Sequence, residues 1–379
     1  MKWNRKLLNN VNWYILIVTL LLICIGIFAI SSAVEVNKAD SIGMQYIKKQ
    51  LISAIMGIIV IIILQFFDYH IFEHFSDIIY FTTIAVLGII ALNGITVKGA
   101  KAWISLGFFN FQPSELAKVS LILVLAAVID NKREELKYFT GFIKPCIYAL
   151  IPFVLIILQN DLGTALVLLA ILIGMLFVGG AKIRFMLIIF GGGFLVLLLL
   201  IVSHILFDTP LFFFKEYQLN RLIVFINPHI DPTGSGYHII QSQIALGSGR
   251  LFGKGLFSGT QNQLGFVPEK HTDFIFSVIG EEFGFIGVLV VVALYLFLLW
   301  QILNIARNAR DNYGRLVAVG VATMFFFHVL ENIGMTMGLM PITGLPLPFI
   351  SYGGSSMISS LAAIGLVTNI NIRRKKIMF

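Results

Sequence analysis

The chain has 379 residues, 58% of them hydrophobic and only 12% charged, with a mean hydropathy of +0.93. Soluble domains carry roughly twice that charged fraction, so a soluble globular enzyme is excluded and a polytopic membrane protein is expected. The two cysteines, Cys24 and Cys146, both lie inside apolar runs, which excludes a disulfide framework and a cysteine metal cluster. The net charge of +8 sits at the ends of those runs, the pattern of membrane orientation and not of nucleic-acid binding.

Runs of about 17–25 apolar residues can cross the hydrocarbon core as helices. Ten occur in chain order, at 12–33, 50–69, 74–92, 113–130, 142–158, 163–180, 185–207, 273–303, 314–339 and 355–371. Nothing after Ala33 resembles a signal-peptidase site with a soluble domain behind it, so the first run is expected to stay as a span. Ten spans put both termini on one side, and Lys and Arg decide which. With the N-terminus inside, sixteen fall in the short inside segments: Lys2, Arg5, Lys6, Lys132, Arg133, Lys137, Lys144, Lys182, Arg184, Arg307, Arg310, Arg315, Arg373, Arg374, Lys375 and Lys376. Five fall in the short outside loops: Lys38, Lys48, Lys49, Lys98 and Lys101. The expectation is an all-α polytopic membrane protein of about ten transmembrane helices. Both termini are cytoplasmic, and a large structured extracytoplasmic loop, 208–272, joins helices 7 and 8.

Four outside segments carry more than a connector needs. In 93–112 the chain leads to Gln112-Pro113-Ser114-Glu115-Leu116-Ala117-Lys118. Pro113 suits a first helical turn, and Glu115 and Lys118 share a face and can pair. That pair fits a function or helix packing alone. Gln159-Asn160-Asp161-Leu162-Gly163-Thr164 places a carboxylate at a tight turn, where Asp is also a common cap. The long loop holds Arg221, a turn at 231–237 and an amphipathic stretch, Ile239 to Leu246, expected to lie as a short helix at the interface. In 341–354 three prolines and three glycines forbid regular helix in a segment that is still apolar. Such backbone must be buried or line a cavity, and it reads as a re-entrant lip.

The long loop ends in Pro268-Glu269-Lys270-His271-Thr272-Asp273-Phe274-Ile275-Phe276, which runs directly into the eighth span. Asp273 falls where lipid meets water, a place where ionisable groups are costly and usually functional. Asp is equally a favoured N-cap. On an extended segment His271 would share a side with Asp273.

Together, Gly99-Ala100-Lys101-Ala102-Trp103-Ile104, Gln112 to Lys118, Asp161-Leu162-Gly163-Thr164, Gly236-Tyr237 through Gly249, Pro268 to Phe276 with Gly280-Glu281-Glu282, and Pro346-Leu347-Pro348-Phe349-Ile350-Ser351-Tyr352-Gly353-Gly354-Ser355 resemble the SEDS family of bacterial shape, elongation, division and sporulation proteins. They occur in family order over about 93–365, with Asn160 standing where the family commonly has proline. Gly259-Thr260-Gln261 and Asn332-Ile333-Gly334-Met335 make the chain most similar to the elongation member. Division or sporulation paralogues share the chemistry. The resemblance implies one SEDS-type domain over 1–379. It also implies a peptidoglycan glycosyltransferase that polymerises lipid II on the outer face of the bacterial cytoplasmic membrane. The implied partners are a class B penicillin-binding protein, which is a transpeptidase, and other elongation-complex proteins. The family's essential aspartate falls on Asp273.

In that chemistry a carboxylate can take the proton of the attacking sugar hydroxyl, and the leaving pyrophosphate needs positive charge. Asp273 is the expected base. Lys118 and Arg221 are the expected cations, with Glu115 orienting Lys118, and Gln112, Asp161 and His271 complete the expected substrate-binding set. No residue cluster has metal-ligand spacing, and a divalent cation, Mg or Mn, on the pyrophosphate is left without assigned ligands. The competing class is a lipid II flippase or solute transporter, which intramembrane Glu115 and Lys118 with broken segments also suit.

Overall fold

The computed structural model describes residues 11–34, 41–97, 100–105, 110–207 and 216–374. Lys98 and Gly99, the first part of the long loop at 208–215, and the basic residues nearest the two termini lie outside the described residues. Ten long helices match the ten apolar runs: α1 Trp13–Ala33, α2 Ser41–Phe66, α3 Ser76–Asn93, α4 Pro113–Asn131, α5 Phe139–Leu158 and α6 Leu162–Gly179. In α7, Ile183–Met186 continues through a π-helical turn at Leu187–Gly191 into Gly192–Phe207. The set ends with α8 Ile275–Arg307, α9 Asn312–Thr336 and α10 Gly354–Ile372.

Nine of these are long and apolar enough to cross a membrane. The exception is α4, which carries Glu115, Lys118 and Asp130. Yet it is the centre of the bundle: every residue from Val119 to Ile129 is buried, with α3, α5, α6, α9 and α10 around it. A helix with charges in its first turns is tolerated there because the neighbouring helices, and not lipid, face them. By contrast α7 stands at the edge, with Leu187, Ile188, Phe194, Leu195, Val196 and Leu199 exposed. Packing between side chains, not water exclusion, holds such helices together in lipid.

At 33 residues α8 would be about 50 Å long at 1.5 Å per residue, well beyond a hydrocarbon core of about 30 Å. A kink at Gly284 (φ 65°, ψ −162°) breaks it, in a region that only glycine enters readily. The freed backbone groups are not left bare. Lys254 N and Gly255 N donate to the carbonyls of Glu281 and Glu282, each at 3.0 Å, while Phe285 N and Ile286 N donate to Arg250 O and Leu251 O at 2.8 and 3.1 Å. The Glu281 side chain anchors the same loop, accepting from Lys254 Nζ at 2.6 Å, Gln261 N at 2.8 Å and Asn262 N at 3.1 Å. The Gly280-Glu281-Glu282 motif therefore fastens the long loop to α8.

The four elaborate segments gather at one end of the bundle, hereafter the site end. Lys101 N donates to Gln159 O at 3.0 Å, and Tyr352 N donates to His271 O at 3.0 Å. Gln112 N donates to Ser355 Oγ at 3.0 Å. The first segment adds a feature not expected from sequence, a small antiparallel sheet of β1 Ile95–Val97, β2 Ala100–Ser105 and β3 Asn110–Phe111. The expected amphipathic stretch is a longer helix, Ser235–Ser248. It is not loose at an interface: Ser242 Oγ donates to Thr336 O at 3.0 Å and Gln243 Nε2 to Met337 O at 2.9 Å, fixing it over the end of α9.

Candidate active site

The lip is the strap on which the site hangs. As expected it has no regular structure from Pro341 to Gly353, and Leu345, Leu347, Phe349 and Ile350 are buried. Its successive residues each meet a different functional group. Thr343 O accepts from Arg221 Nη1 at 3.4 Å. Gly344 lies under the Asp273 carboxylate, whose Oδ2 is 3.3 Å from where a Cβ at 344 would stand. Leu345 O accepts from Asn332 Nδ2 at 2.8 Å. Pro346 O pairs with His328 Nδ1 at 3.2 Å, and Leu347 N donates to Ser351 Oγ at 2.8 Å. The start of α6 comes so close that a side chain at Gly163 would overlap Leu345.

Two groups of expected residues form along this strap. The first unites Gln112, Glu115, Lys118 and Asp161. Lys118 Nζ donates to Glu115 Oε1 at 2.8 Å and lies 2.9 Å from His328 Nε2. Ser359 Oγ donates to the other Glu115 oxygen at 2.8 Å. With Nδ1–H of His328 given to Pro346 O, its Nε2 is an acceptor, so Lys118 is the donor in both of its contacts. Lys118 is 2% exposed, and losing either partner would strand a buried charge. Asp161 Oδ2 accepts from Gln112 Nε2 at 3.1 Å, while Oδ1 accepts from Thr164 N at 3.0 Å. Asp161 therefore caps α6. Burial pushes its carboxyl above the usual range, against the Thr164 hydrogen bonds and the nearby Lys118 charge. Asn160 has φ 65°, open to Asn but closed to proline, whose ring fixes φ near −65°. This turn thus differs from one built on proline.

The second group is Asp273 and Arg221, which meet the lip at Gly344 and Thr343; the His271 ring does not join them. Two expectations are corrected here. Asp273 is not the cap of α8: that position is Phe274, which makes no side-chain capping bond. Nor is the segment extended. Residues 268–274 form turns, with Thr272 N and Phe274 N both donating to Glu269 O at 3.1 and 3.3 Å. His271 is turned into an aromatic cluster, its ring 4.9 Å from Tyr46 and 5.9 Å from Tyr352. Asp273 is half-buried in the turn, beside the lip and one lip residue from the Arg221 contact.

Sequence reasoning passed over His328, Glu331 and Asn332. All three are at least 97% buried and stand at i, i+3 and i+4 of α9, one helix face. Three polar residues at that spacing inside an apolar run were the available signal. His238 was also missed; its ring is 5.9 Å from that of Phe274. Burial holds it below the ordinary histidine value, against the pull of Glu269 and aided by Arg221.

A family model described as "Cell cycle protein", for FtsW, RodA and SpoVE, matches residues 12–376. The chain belongs to this family. It is 38% identical over 366 residues to a probable peptidoglycan glycosyltransferase FtsW of Geobacter sp. (strain M18), covering 95% of this chain and 96% of that protein. It is 35% identical to the peptidoglycan glycosyltransferase RodA of Treponema pallidum (95% and 98% covered) and 36% to MrdB of Escherichia coli K12 (94% of each). Among solved structures, it superposes on a chain of a peptidoglycan synthase complex, studied for the structural coordination of polymerization and crosslinking. That match has a TM-score of 0.80 at 30% identity and covers 96% and 98%. RodA of Thermus thermophilus gives a TM-score of 0.70 at 27% identity, covering 97% and 98%.

Proposed function

We propose that the chain is a peptidoglycan glycosyltransferase that polymerises lipid II into β-1,4-linked glycan strands at its site end, on the outer face of the bacterial cytoplasmic membrane. The observation that carries this is the half-buried Asp273 carboxylate against Gly344, next to Arg221 on the same strap, in a member of this family. Asp273 takes the proton of the acceptor's terminal N-acetylglucosamine 4-hydroxyl. The oxygen attacks the donor's α-linked anomeric carbon, the bond to the lipid pyrophosphate breaks, and the configuration inverts to β. Arg221 and, from the deeper group, Lys118 oppose the charge on the leaving pyrophosphate. Among the described residues no group of three or more His, Cys, Asp or Glu is placed to hold a metal ion; Arg221 and Lys118 are the cations the chain itself brings. A pyrophosphate-bound Mg or Mn would add to them.

Both termini are placed in the cytoplasm by the Lys and Arg excess. The partner is a class B penicillin-binding protein, supported by the likeness to a chain of a complex that coordinates polymerization and crosslinking. Service in elongation is supported by the Gly259-Thr260-Gln261 and Asn332-Ile333-Gly334-Met335 stretches. The test is to supply labelled lipid II to the purified protein, with and without that partner. Glycan ladders that disappear in Asp273→Asn support the proposal. Lipid II carried across vesicle membranes with no polymer formed would establish the transporter instead.

A further inference from the structure

Three consecutive backbone carbonyls lead into α8, and each is held by a different donor. His271 O accepts from Tyr352 N at 3.0 Å, Thr272 O from Ser351 Oγ at 2.7 Å and Asp273 O from Asn332 Nδ2 at 2.8 Å. The second N–H of the Asn332 amide goes to Leu345 O, also at 2.8 Å. One side chain thus ties the main chain of Asp273 to the lip residue that follows Gly344, the residue its carboxylate overlies. Asn332 is 0% exposed, and its Oδ1 has no hydrogen-bond partner. Its contribution to this site is therefore the pair of N–H groups.

We propose that Asn332 is a positioning residue for Asp273. It sets the separation between the carboxylate and the lip, with Ser351 as the adjoining tether. The inference rests on the reading of Asp273 as the base. A reacting group displaced by about 1 Å costs on the order of 10²-fold in rate, and a side chain that fixes two segments with one rigid amide removes that slack. Gln50 of α2 steadies the strap from the other side, donating to Ser351 O at 3.1 Å and accepting from Gly353 N at 3.2 Å.

The molecule supplies its own control. Asn369 of α10 makes a like double clamp at the opposite end, donating to Leu64 O and, at 2.8 Å, to Phe67 O; its Oδ1 also accepts from Arg373 Nη1 at 2.8 Å, and it too is 0% exposed. The experiment compares Asn332→Ala, Ser351→Ala, Asn369→Ala and Asp273→Asn in lipid-reconstituted protein. It measures kcat and KM on labelled lipid II, thermal unfolding, and the rate of carbodiimide modification of Asp273 by mass spectrometry. Asn332→Ala is expected to lower kcat about 10- to 100-fold with KM little changed, and to alter the modification rate of Asp273. Ser351→Ala should act in the same direction and less. Asn369→Ala, which loses the Arg373 contact as well, should lower the unfolding temperature at least as much while kcat per folded molecule stays within about twofold, as anchoring with no bearing on the site would do. The proposal is overturned if Asn332→Ala behaves like Asn369→Ala, or if Asp273 is modified at the wild-type rate in Asn332→Ala. Should Asn332→Ala not fold, Ser351→Ala decides by the same two readouts. An active Asp273→Asn would sink the base assignment, and the modification rates would still decide whether Asn332 sets the carboxylate's position.

Discussion

The two ends of this bundle solve the same problem, joining helices, with different chemistry. At the end away from the site, beside the buried Asn369 clamp, the ionic ties are side chains in partial contact with water. His70 Nδ1 is 2.7 Å from Asp68 Oδ1, its Nε2 is 3.3 Å from Asp311 Oδ2, and Arg373 Nε is 3.6 Å from Asp68 Oδ2; the Asp68 side chain is 50% exposed. Lys132 with Glu135 and Lys137 with Glu134 are surface pairs of the same kind. At the site end the Glu115–Lys118 pair is almost wholly buried, and Asn332 and Ser351 add ties from side-chain donors to backbone carbonyls. Exposed pairs are screened and individually weak. Buried ones are intolerant of losing a partner. A membrane bundle could be closed by the first kind alone. The almost wholly buried ion pair at the site end therefore marks where geometry has to be held.

The sharpest way to break this contrast is at Asp273. Asp273→Asn keeps the size of the side chain and removes the base. The expected loss of polymerisation is about 10²–10⁴-fold, with insertion in the membrane and binding of the partner protein intact. Near-normal glycan synthesis would make the site end a structural clasp and nothing more.

Next in size is the buried pair. Lys118→Met strands Glu115, and a cost of about 3–5 kcal/mol in stability is expected together with severe loss of activity. Adding Glu115→Gln removes the stranded charge and should recover most of the stability. It should not recover activity if the cation serves the pyrophosphate. A double variant that is both stable and active per folded molecule would reduce the pair to packing.

A smaller effect is expected at Gly344. Its φ of 79° disfavours any side chain, and a Cβ there would stand 3.3 Å from the Asp273 carboxylate. Gly344→Ala should cost about 1 kcal/mol for the left-handed backbone and lower kcat several-fold as the carboxylate shifts. Unfolding temperature and kcat measured on one preparation separate the two effects. A change in stability with kcat untouched would mean that Asp273 does not work from its position on the lip.

Much of this was legible in the sequence. Span lengths follow from hydropathy, which is local, and all ten runs became helices. Pro113 did begin α4, Asp161 did sit at the turn before α6, and the prolines and glycines of 341–354 did exclude helix. The misses share a cause. The kink of α8 lay in the unbroken run 273–303, where Gly284 was one small residue among many. Its effect depends on a loop about thirty residues earlier that takes up the freed backbone groups. His328, Glu331 and Asn332 gave no site signal in the sequence beyond their spacing, because their partners stand on α4, on the lip and at Asp273. Asp273 was legible as important, and the alternative that it caps α8 falls away, since the turn that carries it is set by Glu269 O and not by local propensity.

The smallest effect belongs to the end away from the site, and it tests the contrast from its other side. Burial would raise the Asp68 carboxyl, but the hydrogen bonds from the His70 backbone and ring, with the His70 and Arg373 charges, outweigh it and hold the group below the ordinary value. A carboxyl lowered in the folded state stabilises at pH above its unfolded value of about 3.9. That contribution is lost as pH falls through the folded value. Across the neutral range Asp68 itself takes up no proton, so its own titration adds no pH dependence there. Asp68→Asn keeps an acceptor for His70 N, removes the charge and turns the oxygen that faces Arg373 Nε into an N–H donor. With the side chain half exposed, the expected cost is about 0–1 kcal/mol after screening. The difference from wild type should shrink further in 1 M salt, where the Debye length is about 3 Å. Glycan synthesis per folded molecule should be unchanged, whereas the Lys118→Met deficit should be nearly indifferent to salt, because that pair is shielded by protein. Thermal unfolding at low and high salt, alongside the glycan assay, measures both. If Asp68→Asn silenced polymerisation, this end would be coupled to the chemistry through the length of the bundle, and the division between a clasp and a site would have to be given up.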